Sequence, residues 1–173
     1  MKARVEATAN ILVIAVALVA GYTALTHNVG RSAAPRDVAV GERLPAIAGI
    51  DWSRHRSTLV LALNSSCHYC QESAPFYRKL SQAPVSGGDL EIVALFPNDP
   101  PAVRRFNTEL GLHIRSLPAV ALEKLDVVAT PTLLLVDREG RVERAWIGVL
   151  TPRQELDVLA LASVGTKTGR LSQ

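Results

Sequence analysis

The chain has 173 residues, enough for one ordinary domain with an appended segment. Its 19 Lys and Arg residues against 16 Asp and Glu residues leave a formal net charge of only +3, with no basic stripe, so nothing points to nucleic acid as a partner. Two cysteines are too few for a disulfide scaffold and too few for a structural zinc site, which takes four ligands.

The N-terminal block is almost wholly apolar. With His27 neutral, no charge occurs between Glu6 and Arg31, a window long enough for the ~20 residues that cross a bilayer core. We predict a cytoplasmic start over residues 1–6, whose two basic residues keep it inside, and a transmembrane anchor over residues 7–26. A cleaved signal peptide is the alternative, but the apolar run continues beyond a signal-peptide core without a clean Ala-x-Ala site. Either interpretation exports the rest of the chain.

The remaining chain is divided into a linker, a domain and a tail. Residues 27–45 are rich in Gly, Pro, Ala and charge and are predicted to be a linker. The domain is predicted over residues 46–165, and residues 166–173 are predicted to be a flexible tail.

Hydrophobic patterning within the domain predicts alternating strands and helices. The predicted strands are a short edge strand at Ile47–Trp52, buried strands at Leu59–Leu63, Leu90–Phe96 and Thr132–Val136, a short strand at His113–Leu117 and a partner strand at Val142–Ile147. The predicted helices are Gln71–Leu80, one capped by Asp99 and ended by Gly111, a short one at Ala119–Leu125, and one from Thr151 to Gly165 with Leu156, Leu159 and Ala160 facing inward. This order predicts α/β architecture with parallel central strands and the last hairpin strand antiparallel at one edge. Four aromatic residues are predicted to belong to the core: Trp52, Phe96, Phe106 and Trp146.

The two cysteines lie where the first buried strand meets a helix. Cys67 and Cys70 form a Cys-x-x-Cys pair, which places the second sulfur one helical turn beyond the first. Unpaired backbone N–H groups and the helix dipole at this junction favour a negative charge on the first sulfur. The pattern therefore predicts a reversible dithiol/disulfide site in which Cys67 attacks and Cys70 resolves the mixed disulfide.

Three features resemble the thioredoxin fold and, within it, the membrane-anchored extracytoplasmic thioredoxins of the TlpA type. Cys-x-x-Cys follows a buried strand and opens a helix, Pro75 lies eight residues after Cys67, and Val128–Val136 followed by an Asp-Arg-Glu-Gly turn resembles the family's cis-proline segment. The helix-strand unit over residues 100–117 resembles the insertion of TlpA-type and peroxiredoxin-related proteins. The resemblance covers about residues 41–164.

The resemblance implies a thioredoxin-like domain with a mixed central sheet and a set of site residues. Pro131 would be a cis-proline that faces the sulfurs and docks substrate, and Thr130 would contact the substrate backbone. His68 would tune the Cys67 thiolate, and the His68–Tyr69 pair resembles oxidising and isomerising Dsb-type proteins. Ser66, Leu61 and Ser73 replace the family's Trp, Asp and Glu, so no acid/base partner for Cys70 carries over.

These observations predict a membrane-anchored, extracytoplasmic (periplasmic) thiol-disulfide oxidoreductase without cofactor or metal. Its partners would be exported cysteine-containing proteins and a membrane or periplasmic redox partner, and the direction of exchange is left open. One alternative is a peroxiredoxin-like peroxidase, although Asn64 stands where that family has Thr or Ser. Others are a copper-binding module using Cys67, Cys70 and His113, and a non-enzymatic interaction module.

Overall fold

Five strands and four helices occur in residues 38–83 and 89–164, the part of the chain that the computed structural model describes. The strands are β1 Ser57–Ala62, β2 Leu90–Leu95, β3 Arg115–Leu117, β4 Thr132–Asp137 and β5 Val142–Ile147. The helices are α1 His68–Glu72, α2 Ala74–Ser81, α3 Pro100–Leu110 and α4 Pro152–Val164, and short 3-10 helices span Trp52–Arg54 and Leu122–Leu125. The predicted cysteine helix is thus two helices, which meet at Ser73 just before Pro75.

The five strands form one mixed sheet in the order β3-β2-β1-β4-β5. β1 is parallel to β2, and β2 is parallel to β3, whereas β4 is antiparallel to β1 and β5 is antiparallel to β4. Our expectation that only the last hairpin strand reverses direction is therefore wrong. β4 reverses inside the sheet, and β5 at the edge runs in the same direction as β1.

Both faces of the sheet are covered by apolar groups. Leu59, Leu61 and Leu63 belong to one buried cluster, which includes side chains of all four helices, while Val60 and Ala62 belong to a second. This alternation follows from the two-residue period of a strand, and it explains why β1 is apolar throughout. Three of the four predicted core aromatics are buried, and Trp52 packs partly buried against the second cluster.

The segment before β1 departs from the prediction. The predicted edge strand at 47–52 is absent from this described segment, which ends in the Trp52–Arg54 3-10 helix with Asp51 as its cap. Residues 38–45, assigned to the linker, pack on the domain: Val38 and Leu44 are buried, and Leu44 donates its N–H to the Gly140 carbonyl at 2.8 Å. The domain therefore begins before residue 46, because these apolar side chains complete the second cluster.

The insertion and the last helix keep their predicted positions. The Asp99 carboxylate accepts the Ala102 N–H at 2.8 Å at the start of α3, and Gly111 ends that helix in the left-handed region at φ +62°. Thr151 and Gln154 form the capping box of α4. The predicted inward face of α4 is wrong, however, because Val158 and Ala162 are buried, Leu159 is only partly buried, and Leu156 and Ala160 are exposed.

Several predictions fall on residues that the structure does not describe. The predicted anchor at 7–26, most of the linker and the tail at 166–173 lie outside the described residues. Within residues 38–83 and 89–164, no helix combines the length and the apolar character that crossing a membrane takes.

Candidate active site at the cysteine pair

A short loop joins β1 to α1 and holds Cys67 in place. The Cys67 N–H donates to the Asn64 carbonyl at 3.0 Å, and the Asn64 side-chain oxygen accepts the Ser66 N–H at 2.9 Å. From the end of β2, the Asn98 side-chain oxygen accepts the Ser65 N–H at 2.8 Å. Since β1 and β2 are parallel, their carboxyl ends lie at the same edge of the sheet, and Asn98 can brace the loop of its neighbour.

Cys67 is the accessible sulfur of the pair. It is the N-cap residue of α1, is half-buried, and is a free thiol. Partial burial disfavours its ionisation, but this is outweighed by hydrogen bonding from Thr130, from the backbone N–H groups of Cys70 and Tyr69, and from the Cys70 thiol, so that the pKa of Cys67 lies below the ordinary value. Cys67 is therefore the sulfur that forms a thiolate more easily.

Cys70 has the opposite character. It is completely buried in the first core cluster, and this burial, helped by the hydrogen bond that its thiol gives to Cys67, raises the pKa of Cys70 to about 12. Interactions with the Asn64 backbone and with Thr130 oppose this rise without cancelling it. The pair is thus split into a sulfur that ionises readily and one that keeps its proton.

Thr130 lies against the cysteines, and Pro131 joins it to the start of β4. The Thr130–Pro131 peptide bond is cis, as the resemblance to the thioredoxin cis-proline segment implies. The Thr130 carbonyl accepts from the Cys67 thiol at 3.2 Å, and the Pro131 carbonyl accepts the Gly148 N–H at 2.8 Å. β4 is antiparallel to β1, so the beginning of β4 meets the end of β1, and the two segments converge at one edge of the sheet.

The two residues between the cysteines face outward. His68 and Tyr69 are both exposed, and their rings contact each other edge to face with centroids 5.7 Å apart. His68 is not among the main groups that lower the pKa of Cys67. Tyr69, which is 58% exposed, presents an apolar ring beside the accessible sulfur.

His113 is not brought to the cysteines. It is exposed and precedes β3, whereas the cysteines follow β1. Because β1, β2 and β3 run parallel, His113 lies where the strands begin and the cysteines lie where they end, at opposite edges of the sheet. Within the described residues, no group of three or more His, Cys, Asp or Glu side chains is placed to hold a metal. The copper site proposed from Cys67, Cys70 and His113 is therefore wrong.

Sequence reasoning missed two residues near the site. Asn98 braces the cysteine loop, and its place directly after a buried strand parallel to β1 was the available signal. Tyr77 is buried in the same cluster as Cys70, and charge on either cysteine influences its ionisation. In the sequence it resembles any apolar position of an amphipathic helix.

The arrangement is suited to thiol-disulfide exchange. An accessible sulfur of lowered pKa can attack an external disulfide, and a buried sulfur one turn away can then displace the product. The backbone at Thr130 provides a polar edge beside the attacking sulfur. The pair can pass between dithiol and disulfide without a metal or cofactor.

Comparisons with known proteins identify the fold. No protein-family model matches the sequence, and no curated protein matches it either. Among solved structures, the thioredoxin domain of a thiol-disulfide oxidoreductase from Bacteroides vulgatus is similar with a TM-score of 0.58 and 20% identity, covering 72% of this chain and 98% of that one. A putative thiol:disulfide interchange protein DsbE from Chlorobium tepidum is similar at 0.53 and 22%, covering 73% and 94%.

A third similar structure is a secreted Mycobacterium tuberculosis disulfide oxidoreductase described as homologous to E. coli DsbE. Its TM-score is 0.50 at 16% identity, covering 63% of this chain and 84% of that one. The described domain therefore has a thioredoxin-like α/β fold, as the sequence predicts.

Proposed function

We propose that this protein is a membrane-anchored, extracytoplasmic thiol-disulfide oxidoreductase that works through Cys67 and Cys70. The observation that carries the proposal is the asymmetry of the two sulfurs on a thioredoxin-like fold. The pKa of half-buried Cys67 is lowered, and burial raises that of Cys70 to about 12. In an inert structural pair we would expect both sulfurs to be buried, with neither pKa lowered.

The reaction follows from this asymmetry. When the protein reduces its partner, the Cys67 thiolate attacks a disulfide of the partner, forms a mixed disulfide and releases one partner thiol. The Cys70 sulfur then attacks Cys67, the mixed disulfide breaks, and the second partner thiol leaves. Two electrons pass from the dithiol to the partner, and the reverse sequence oxidises a partner dithiol.

The partner would dock along the cis-proline segment. The Thr130 carbonyl, 3.2 Å from the Cys67 sulfur, lies where an extended partner chain would pass the reacting disulfide. Pro131 has no N–H and lies at the start of β4, so it fixes the backbone of this edge. We assign Thr130 and Pro131 to partner docking. The tuning of the Cys67 thiolate by His68 stays a prediction from the sequence, because His68 is not among the main groups that lower the pKa of Cys67.

The proposed location rests on the sequence of the N-terminal block. Residues 7–26 would anchor the chain, and the domain would meet exported cysteine-containing proteins and a membrane or periplasmic redox partner. Disulfide chemistry of this kind persists in oxidising compartments, which agrees with export. One similar structure is of a secreted disulfide oxidoreductase.

Trapping of the mixed disulfide tests the proposal. In cells that produce full-length Cys70→Ser, the attacking cysteine remains but cannot be released, so we expect disulfide-linked adducts that disappear on reduction. Cys67→Ser is the matched control and should form far fewer adducts, because its remaining sulfur is buried and holds its proton. Equal trapping by both variants, or none by Cys70→Ser, would contradict the assignment.

A further inference from the structure

Tyr77 is buried in the core near the cysteine pair. Its phenol has no part in the exchange reaction proposed above. It lies on α2, seven residues after Cys70, and only 1% of it is exposed. It belongs to the same core cluster as Cys70. Its hydroxyl is therefore enclosed in the apolar surroundings that hold the resolving sulfur.

The Tyr77 hydroxyl has no hydrogen-bond partner among the described residues. Buried polar groups are nearly always paired, and an unpaired one destabilises the fold. Ser73 is near enough to influence the phenol but does not reach hydrogen-bond geometry, and its own hydroxyl donates to the Tyr69 carbonyl at 2.8 Å. An unpaired Tyr77 hydroxyl in the same core cluster as Cys70 is therefore a candidate for a role in the reaction of that sulfur.

Negative charge on either cysteine sulfur acts on the ionisation of the Tyr77 phenol. Burial is the main cause that raises the pKa of Tyr77, and negative charge on Cys70 and on Cys67 raises it further. Tyr77 therefore keeps its proton throughout the physiological range and can act only as a neutral hydrogen-bond donor. A neutral donor in apolar surroundings stabilises a nearby anion strongly, because no water competes for it.

A hydrogen-bond donor would stabilise the negative charge that Cys70 takes on during the reaction. To attack the mixed disulfide it has to take on negative charge, although burial raises its pKa to about 12. Apart from burial, the main groups that shift its pKa in the dithiol state are the Asn64 backbone, Thr130 and Cys67, and the last of these opposes ionisation; Tyr77 is not among them. No carboxylate or imidazole is among the main groups that shift Cys70 in the described part of the chain.

In the dithiol state the Tyr77 hydroxyl makes no hydrogen bond to the Cys70 sulfur either. We propose that it moves to donate one as that sulfur becomes negatively charged in the resolving step. This inference rests on the exchange function proposed above. In that step the Cys70–Cys67 bond forms, the bond between Cys67 and the partner sulfur breaks, and the partner leaves as a thiolate. The proton lost by Cys70 is taken up by the departing thiolate, directly or through solvent, while Tyr77 keeps its own proton.

A single-turnover reaction with dithiobis(nitrobenzoate) separates the two sulfurs. Attack by Cys67 releases one coloured thiolate, and resolution by Cys70 releases the second. In full-length Tyr77→Phe, kept in mild detergent, we expect the first phase within about twofold of the unsubstituted protein and the second slowed about tenfold, the size typical of one hydrogen bond to a charged group. The midpoint of the pH profile of the second phase should move to higher pH.

Thr58→Val is the matched control. Thr58 is also fully buried, and its hydroxyl also lacks a partner among the described residues, but it lies near the start of β1, at the end away from the cysteines. This variant should leave both phases and the pH profile unchanged. An unchanged second phase in Tyr77→Phe, or equal slowing of both phases, would overturn the role of Tyr77. Failure of the unsubstituted protein to release the second thiolate would instead contradict the exchange function itself.

Discussion

Two cysteines only three positions apart differ in ionisation because their surroundings differ. Partial burial disfavours the charge on the Cys67 sulfur, but the hydrogen bond with Thr130, the backbone N–H groups of Cys70 and Tyr69 and the Cys70 thiol together outweigh it. Cys70 is buried in the core, and its thiol donates a hydrogen bond to the Cys67 sulfur. The same contact thus lowers the pKa of Cys67 and raises that of Cys70, which agrees with the proposal that Cys67 attacks first.

The raised pKa of Cys70 predicts that the reduced protein loses stability in alkaline solution. An unfolded cysteine ionises near pH ~8.5, whereas folded Cys70 keeps its proton up to a pKa of about 12. Between these values the unfolded state binds fewer protons, so the free energy of unfolding falls as pH rises, by about 1 kcal/mol per pH unit. Urea unfolding of the reduced protein between pH ~8.5 and ~10 measures the slope.

Cys70→Ser is the control for that slope, because it removes the buried ionisable group and keeps Cys67. The lowered pKa of Cys67 contributes stability that is present above the unfolded pKa and is lost as pH falls through the folded one. Most groups that cause it, Thr130 and the two backbone N–H groups, are the same in both proteins. The difference between the two slopes therefore reports Cys70. Identical slopes would show that Cys70 is not the buried, protonated sulfur of the reduced state.

At the residue scale, the sequence predicted where the cysteine pair lies in the fold but not how the ionisation of its two sulfurs differs. Cys67 and Cys70 follow from their spacing at a strand–helix junction, and Pro131 from its resemblance to the cis-proline segment. Burial, which separates the two pKa values, depends on how the first core cluster packs around Cys70. Thr130, which hydrogen-bonds to Cys67 from 63 positions along the chain, also acts on both sulfurs. The copper alternative with His113 was wrong because spacing alone does not show at which edge of the sheet a residue lies.

At the scale of elements, the loop before α1 is held by its neighbour β2. Asn98 follows β2 and accepts the Ser65 N–H, while its backbone carbonyl accepts the Ala119 N–H at 2.9 Å. One residue thus connects the cysteine loop to the segment after the insertion. The two residues that flank the insertion thus support the cysteine loop, and the insertion itself contributes to the core through α3.

We predict that Asn98→Ala slows the reaction of Cys67 with a small disulfide severalfold and costs about 1 kcal/mol of stability, since a part-buried N–H loses its acceptor. The first phase of the dithiobis(nitrobenzoate) reaction and urea unfolding measure the two effects. Asn107→Ala is the control, because its amide donates to the Ser116 hydroxyl at 3.0 Å within the same insertion. It should lose similar stability and leave the Cys67 rate unchanged, and equal rates in both variants would contradict the bracing role of Asn98.

Elements with strong local signals were predicted well, and those decided by distant contacts were not. α3 has its Asp99 cap and Gly111 stop, and the strands lie within two residues of their predicted ends. The direction of β4 depends on its pairing with β1, which no local pattern shows. The inward face of α4 was misassigned because Leu156 is apolar yet 68% exposed.

At the scale of the whole molecule, the mixed sheet creates the site. The end of β1 leads into Cys67 and the start of β4 follows Pro131, and their antiparallel pairing, with Ala62 opposite Thr132, brings the two segments together. The apolar N-terminal block, outside the described residues, would hold this domain at a membrane surface. The sequence predicted the thioredoxin-like fold through three local motifs, whereas the part of the domain before residue 46 needed the structure.

The central claim is that Cys67 and Cys70 form a reversible two-electron couple. Equilibration of the full-length protein in glutathione buffers of graded ratio, from the reduced and from the oxidised side, tests it most directly. We predict one two-electron transition with the same midpoint from both sides, absent in Cys70→Ser, and the midpoint will decide between a reductant and an oxidant. A pair that stays in one state across all buffers, or midpoints that differ between the two directions, would contradict the account.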